Sequence, residues 1–583
     1  MKHLATFLFL SLTISVTLFA QQAKISGELK AYQKLTFSWE GPHAAEEEKT
    51  FLDYRLQVVF TGPDGQKMRI PGYFAGDGIA GETGVSAGNI WRAHLLPLVP
   101  GEWTFEARFI QGEQVAISQD PDWSQGSAFH GDTGSFDILP PDASAPGFLS
   151  KGKLQYVGEH FLQFTDESYF LKMGANSPEV FLEYEEFDGT SSERSYATHV
   201  KDWKSGDPLW HENKGKGIIG VINYLKSQGI NAHYFMLMNA YGDGKQAFPW
   251  TGHDAYYQYD LSKLDQWQLL FDHMMTEGVM PQLVLSEQEN QSYFEHKEGG
   301  EFATARKIFY REMAARFGYL NAVTWNIGEE SGWDNEPTYG KGNTTAQRRQ
   351  FAAYLKQLLP YSELIVVHNG PSDTDAIFEG LVGDSAYSGI SYQGNFEDPY
   401  YGYERILHWK EESARSGKPW VVSYDEPYTN PEFPDLETWS KNSLWAALMA
   451  GAAGVEFYIG KGRDLSIEDY QLYEAYWQAM TGAKSFFLDN DIPFQHLKPF
   501  EVQDAEIWGL TDENQHHVLY LREGGEANLR LSEGQYMLRW FDPALGESYT
   551  TGAPVGVPEA GLVHLGHPPT ANDKSWVLWL QRQ

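Results

Sequence analysis

Between about residues 147 and 488, short apolar runs alternate with longer amphipathic ones, and this alternation restricts the fold more than any other feature of the chain. Strands that each need a helix to return to the same edge build a parallel sheet, either open or closed. Strand-like runs fall at Tyr169–Gly174, Ala232–Met238, Met280–Leu285, Val323–Ile327, Leu364–Val367, Tyr387–Tyr392, Trp420–Tyr424 and Gly454–Tyr458. Helical runs such as Thr304–Phe317, Thr345–Leu359, Glu404–Ser416 and Trp439–Ala450 separate them. Eight such strands fit a (β/α)8 TIM barrel, with an open doubly wound sheet as the rival. A barrel would gather its chemistry at the C-terminal strand ends, which face one mouth.

The flanks read differently. From Gln22 to Leu139, Gly and Pro punctuate alternating strands; in Gly101–Phe109 the residues Trp103, Phe105, Ala107 and Phe109 alternate with polar neighbours. This predicts an N-terminal β-sandwich over 22–139, followed by the linker Pro140–Pro146. After Asp489 short strands return, for example in Gln535–Phe541 and Ser575–Leu580, predicting a second β-sandwich over 489–583. The expected fold class is therefore an α/β (β/α)8 barrel over 147–488 between two β-sandwiches.

Met1 to Ala20 reads as a secretory signal peptide, Lys2 preceding the apolar stretch Leu4–Phe19. An N-terminal anchor is the alternative, but the stretch is shorter than the roughly 20 residues a spanning helix needs. No later segment is apolar enough to span, so the mature chain is expected to be exported, secreted or periplasmic, without a transmembrane segment. The sequence has no cysteine, which excludes disulfides, thiolate catalysis, zinc-thiolate sites, iron–sulfur clusters and a lipoprotein anchor. With 44 Lys and Arg against 79 Asp and Glu, the net charge is −35, which disfavours nucleic acid as a partner.

Two strand ends carry paired carboxylates. Asn321–Ser331 is an apolar run that delivers Glu329 and Glu330, and Lys418–Pro427 delivers Asp425 and Glu426. They count as strands four and seven of the barrel. Glycosidic bond cleavage needs two such groups: a protonated one for the leaving oxygen, and an ionised one to attack or stabilise the anomeric carbon. Glu287, His368 and Asn369 close strands three and five, so they are candidate substrate-binding groups together with Glu329 and Asp425. Trp333, Tyr392, Tyr428 and Tyr458 are candidate stacking residues, since sugar rings present apolar C–H faces. Trp325, Tyr387 and Tyr424 lie at the same strand ends, and for Trp325 and Tyr424 a place in the core is equally open.

Other motifs lack context. Gly84–Gly88 matches a nucleophile elbow but lies among short strands, so a serine esterase built on Ser86 is a lesser alternative. His211-Glu212 lacks the second histidine of a zinc-protease helix, and the acidic turns at Asp120–Asp122 and Asp489–Asp491 lack EF-hand spacing. No metal ligand set and no cofactor are expected. Lys172, Lys461 and Arg463 would lend positive charge only if they reached the mouth.

Trp325-Asn-Ile-Gly-Glu-Glu-Ser331 resembles the Trp-x-x-Gly-Asn-Glu-Pro strand-four signature of retaining (β/α)8 glycoside hydrolases. That resemblance implies Glu330 as acid/base, with Glu329 standing where the family has an Asn that bonds the sugar 2-hydroxyl. Asp425-Glu-Pro427 resembles the strand-seven end, implying Glu426 as nucleophile and Asp425 as the alternative. Pro71–Gly78 and Gly88–His94 resemble an immunoglobulin-like N-terminal domain of secreted bacterial glycoside hydrolases. Gly174–Glu179, Phe187–Thr190, Ser286–Asn290 and Ala453–Tyr458 resemble the apiosidase-like barrel that accompanies it, and Leu538–Pro543 a collagen-binding-like C-terminal β domain. The expectation is a secreted glycoside hydrolase acting on a plant or algal polysaccharide or oligosaccharide. A non-catalytic carbohydrate-binding protein is the alternative, and it would have no need of facing carboxylates.

Overall fold

The computed structural model describes residues 22–583, except 177–178, 243, 335–337, 371–373, 429–434, 459–466, 514, 545, 551–553 and 571–572. The signal peptide expected at residues 1–20, Lys461 and Arg463 lie outside the described residues.

Eight parallel strands form one sheet: β1 (Lys172–Asn176), β2 (Ala232–Met236), β3 (Met280–Val284), β4 (Thr324–Asn326), β5 (Leu364–Val366), β6 (Gly389–Asn395), β7 (Val421–Tyr428) and β8 (Gly454–Tyr458). Their spatial order is β5-β4-β3-β2-β1-β8-β7-β6. The two ends meet where Ser388 and Ser391 N–H donate to the Ile365 and Val367 carbonyls, which closes a barrel and leaves no exposed edge. The open-sheet rival is thereby excluded.

Helices cover the barrel, among them α1 (Lys216–Ser227), α2 (Leu261–Glu277), α3 (Thr304–Phe317), α4 (Thr345–Leu358), α5 (Glu404–Arg415) and α6 (Glu474–Leu488). Local sequence explains their limits. Thr344 and Gln347 form a reciprocal capping box at the start of α4. Asp260 caps α2, and Gly278 ends it at φ +71°, a left-handed conformation that glycine adopts without strain. In α5 the buried residues Ile406, Trp409, Lys410 and Ser413 recur at helical spacing toward the sheet.

One strand differs from expectation. Tyr169–Phe170 belongs not to β1 but to a three-stranded antiparallel sheet with Leu154–Tyr156 and Leu162–Phe164. Leu162 and Phe170 line the closed lower end of the barrel, so this small sheet acts as its plug. A run of apolar residues broken only by Lys172 conceals the boundary between plug and barrel. Buried Lys153 ties the plug down, donating to the Gly318 and Leu320 carbonyls and pairing with Glu363 at 3.2 Å.

The N-terminal unit packs two four-stranded antiparallel sheets face to face, around a core that includes Phe37, Trp39, Phe60, Phe105, Phe129 and Phe136. Trp103, Phe105, Ala107 and Phe109 are all buried, as the period-two pattern requires. The C-terminal unit encloses Leu519, Leu529, Trp540, Trp576 and Leu578 between a large antiparallel sheet and a two-stranded one. Ring stacking docks it on the barrel: Tyr403 lies on Trp508 at 4.6 Å, and Trp445 on Tyr520 at 5.5 Å.

Inside the lower barrel, Lys172 Nζ sits 2.8 Å from both Asp425 and Glu456. It also donates to Gln282, whose amide donates to Ser391 and to Asp425. Burial raises the Asp425 carboxyl, but Lys172 beside it holds it below the usual range. Burial, reinforced by Asp425, pushes Glu456 well above the usual range. The floor thus holds one cation and one anion. Replacing Lys172 by Met leaves Asp425 charged and unpaired, at an expected cost of about 3–5 kcal/mol. Lys172 keeps Asp425 ionised in the parent even below its free value of about 3.9, so above pH ~4 the parent's gain from this pair is constant; in K172M the unpaired, buried Asp425 favours its neutral form, and the Tm deficit should widen as pH rises from ~4. Thermal melts between pH 4 and 8 check this, and a constant deficit would contradict it.

Candidate active site

Side-chain alternation points Lys172, Gln282, Ser423 and Asp425 toward the barrel axis. Strict alternation would turn Glu426 away. In the β6–β7 ladder, however, Tyr392 pairs with Tyr424 while Gln393 pairs with Glu426, so Asp425 is an extra residue opposite nothing. This β-bulge re-aims the chain and lets two consecutive carboxylates face inward at different heights. Asp425 goes down to Lys172. Glu426 stays at the mouth, where its oxygens accept from Gln393 Nε2 at 2.6 Å and lie 3.2 Å from His368 Nε2.

A second device serves the other pair. Beyond β4 the Glu329 N–H donates to the Ser286 carbonyl, and Glu330 then turns at φ +42°, a left-handed conformation uncommon for a non-glycine residue. Glu329 remains buried and accepts from the Tyr234 hydroxyl at 3.2 Å. Glu330 is half-buried and accepts from the same Gln393 Nε2 at 3.0 Å. Gln393 therefore bridges Glu330 and Glu426, and the bond lengths of 3.0 and 2.6 Å bound the separation of those two oxygens.

Glu179 and Glu287 complete the ring. Glu287 accepts from Asn290 Nδ2 at 3.0 Å and is packed so closely on Gly242 that a Cβ there would lie 1.7 Å from its Oε2. Oxygens of Glu179, Glu287 and Glu329 come within 4.8 Å of one another, as do donor atoms of Glu329, His368 and Glu426. Either trio has the chemistry to hold a cation, although no metal ligands were expected from the sequence. Burial, followed by repulsion from Glu179, Glu426, Glu330 and Glu287, pushes the Glu329 carboxyl well above the usual range. Burial and its acidic neighbours thus favour the protonated form of Glu329.

The remaining candidates divide. His368 is fully buried, with Nδ1 at 3.1 Å from Ser391 Oγ and Nε2 toward Glu426. Tyr458, at the end of β8, is partly exposed among Glu179, Glu426 and Glu329. Trp333 is half-buried and lies over Gly370 beside the β5 end, so it can form one wall.

Others are placed elsewhere than expected. Asn369 spends its amide on the main chain: it donates to the Gly370 and Gln393 carbonyls and accepts from Gln393 N–H, so it positions Gln393 rather than substrate. Tyr392 and Tyr424 are buried on the helix side of the sheet, 5.2 Å apart, because the alternation that turns Ser391 inward turns Tyr392 out. Trp325 is core for the same reason, and Tyr387 is buried with its hydroxyl on the Arg348 carbonyl. Asp425 and Lys172 sit below the mouth in the ion pair. The Tyr428 side chain lies outside the described residues. Ser86 follows a short helical turn and leads into a strand, the reverse of a nucleophile elbow.

Sequence reasoning passed over Glu179, Tyr234, Asn176 and Gln393. For Glu179 the signal was present, since the β1 motif Gly174–Glu179 ends on it; Gln393 had none, because it depends on the bulge.

Residues 28–110 match a family model described as a domain of unknown function (DUF5060). No curated protein was found similar to the chain. Among solved structures, a protein of Bacteroides vulgatus ATCC 8482 provisionally described as a glycoside hydrolase superposes with a TM-score of 0.68 at 14% identity, over 95% of this chain and 99% of that one. A glycoside hydrolase family 5 structure from the same organism gives 0.52 at 12% identity, over 76% and 95%. At these identities what is shared is the fold: a barrel with added β units. Among the described residues no helix is long and apolar enough to cross a membrane.

The upward shift of the Glu329 carboxyl has a measurable consequence. Its raised pKa means that folding loses stability as pH rises from about 4.3, the unfolded value, toward the folded one. Glu329→Gln removes that loss, so the Tm gain of the variant over the parent should be near zero at pH 4 and grow toward pH 8. A gain largest at low pH, or a loss that grows with pH, would contradict the assignment.

Proposed function

We propose that the chain is a secreted glycoside hydrolase that cleaves a plant or algal polysaccharide or oligosaccharide with retention of anomeric configuration. The observation that carries this reading is the Gln393 amide shared by Glu330 and Glu426. Its two bonds, 3.0 and 2.6 Å, hold those oxygens closer than the roughly 6.5 Å at which inverting pairs begin. The space suits direct attack by one carboxylate rather than a water between two.

In this reading Glu426 attacks the anomeric carbon, and Glu330, the more exposed of its pair, protonates the departing oxygen and then activates water. His368 and Gln393 hold the Glu426 carboxylate in place. Glu329 serves as a neutral donor to a sugar hydroxyl, supplying what an amide would at that position. Glu179, Glu287 and Tyr458 accept or donate to further hydroxyls, and Trp333 stacks on a ring face. A ring of five carboxyls favours an uncharged, hydroxyl-rich sugar at the point of cleavage, because an anionic one would meet like charge at short range. The leader at 1–20 supports export, the resemblance of 71–94 supports an immunoglobulin-like N-terminal domain, and the β4 and barrel motifs support an apiosidase-like barrel.

Release of reducing ends from a panel of plant and algal polysaccharides tests the activity. Glu426→Gln should lose activity on every substrate the parent cleaves. Glu330→Gln should lose about 10²- to 10⁴-fold on natural linkages but far less on aryl glycosides with good leaving groups, which need no proton. Glu329→Gln should retain most activity and Glu329→Leu should not. Equal rates for the parent, Glu330→Gln and Glu426→Gln would overturn the reading, and leaving-group sensitivity in Glu329→Gln rather than Glu330→Gln would exchange the two roles.

A further inference from the structure

Three arginines meet where the N-terminal sandwich rests on the barrel helices. A cavity of ≈ 240 Å³ is lined there by Arg55 and Arg69 from neighbouring strands of one sandwich sheet, by Arg311 from α3, and by Tyr354 from α4. No carboxylate lines it, in a chain that carries 35 more acidic than basic residues. Among the described residues Arg55, Arg69 and Arg311 form no ion pair, whereas Arg316, one turn along α3, is matched by Glu312 and Asp265.

Their donors are only partly used. Arg311 Nη2 donates to the Leu56 carbonyl at 2.7 Å, and Arg55 Nη1 donates to the Ser118 and Val115 carbonyls. Arg55 also lies over the Trp123 ring at 5.6 Å. Its buried Nε has no acceptor. Each guanidinium carries five N–H donors, and all of these acceptors are neutral. Burial and the neighbouring Arg311 guanidinium pull Arg55 down to about 10, the direction expected when two cations share a recess without an anion. Uncompensated buried charge is costly, and a planar oxyanion offers guanidinium groups a geometry that carbonyls do not. Arg69 is exposed at the opening, leaving a route in from solvent.

We propose that this inter-domain recess is a binding site for an oxyanion, a sulfate or carboxylate group, separate from the carboxylate-lined mouth of the barrel. The anion completes the Arg55–Arg311 pair and joins the sandwich to α3 and α4. It arrives either as a free ion or as a substituent on an acidic saccharide held away from the point of cleavage.

Melting of the full chain in millimolar sodium sulfate, against sodium chloride of equal ionic strength, tests the site. The parent should gain about 2 °C in sulfate. Arg69→Gln, an exposed change that leaves the fold intact, should cut the apparent affinity at least tenfold, and Arg69→Lys should restore part of it. Titration with sodium glucuronate and with a sulfated galactan oligosaccharide separates the sources: binding at least tenfold tighter than sulfate identifies a saccharide substituent, and equal binding a free anion. No difference between sulfate and chloride in the parent, or the same gain in Arg69→Gln, would overturn the proposal.

Discussion

One residue too many in β7 sets the layout of this barrel. A regular parallel ladder gives each strand one inward side chain in two, so an Asp-Glu pair would send one carboxylate into the helix layer. The bulge at Asp425 avoids this by taking Asp425 out of register. The displaced carboxylate needs compensation, because a buried charge without a partner is costly. Lys172 on the neighbouring interior surface supplies it, with Gln282 and Ser391 completing the bonds. Asn176 Nδ2 adds a bond to the Asp425 carbonyl, fixing the backbone at the residue before Glu426. The floor of the barrel therefore aims the group at its mouth.

Above that floor the electrostatics reverse. Lys172 favours the ionised form of Asp425, while burial and crowding by carboxyls favour the protonated form of Glu329. Two environments a few strand positions apart thus favour opposite forms of two carboxyls, the anion in the floor and the neutral acid at the mouth. Gln393 links the two sides. It is itself held by Asn369, so Asn369 governs the spacing of Glu330 and Glu426 without bonding either.

Much of this could be read from the sequence. Alternating apolar and amphipathic segments gave the barrel because strand and helix periods differ and helix caps at Asp260 and Thr344 are local. Paired carboxylates at two strand ends were visible as text. What could not be read was parity: a bulge cannot be inferred from composition, so Asp425 stood beside Glu426 as a second carboxylate at the mouth and Tyr392 looked inward. The plug strand at Tyr169–Phe170 was hidden for a related reason, since an apolar run shows burial but not which sheet it joins. Asn369 looked like a binding residue because nothing local reveals that Gln393 consumes its amide.

The division of labour at the bulge is most directly tested by covalent trapping. A panel of 2-deoxy-2-fluoroglycosyl fluorides, incubated with the protein and followed by peptide mass mapping, labels whichever carboxylate attacks the anomeric carbon. Label on Glu426 alone, with Asp425 untouched one residue away, is the expected result. Label on Asp425 would contradict the assignment of Asp425 to the floor, and label on Glu329 or Glu330 would contradict the assignment of Glu426 as nucleophile.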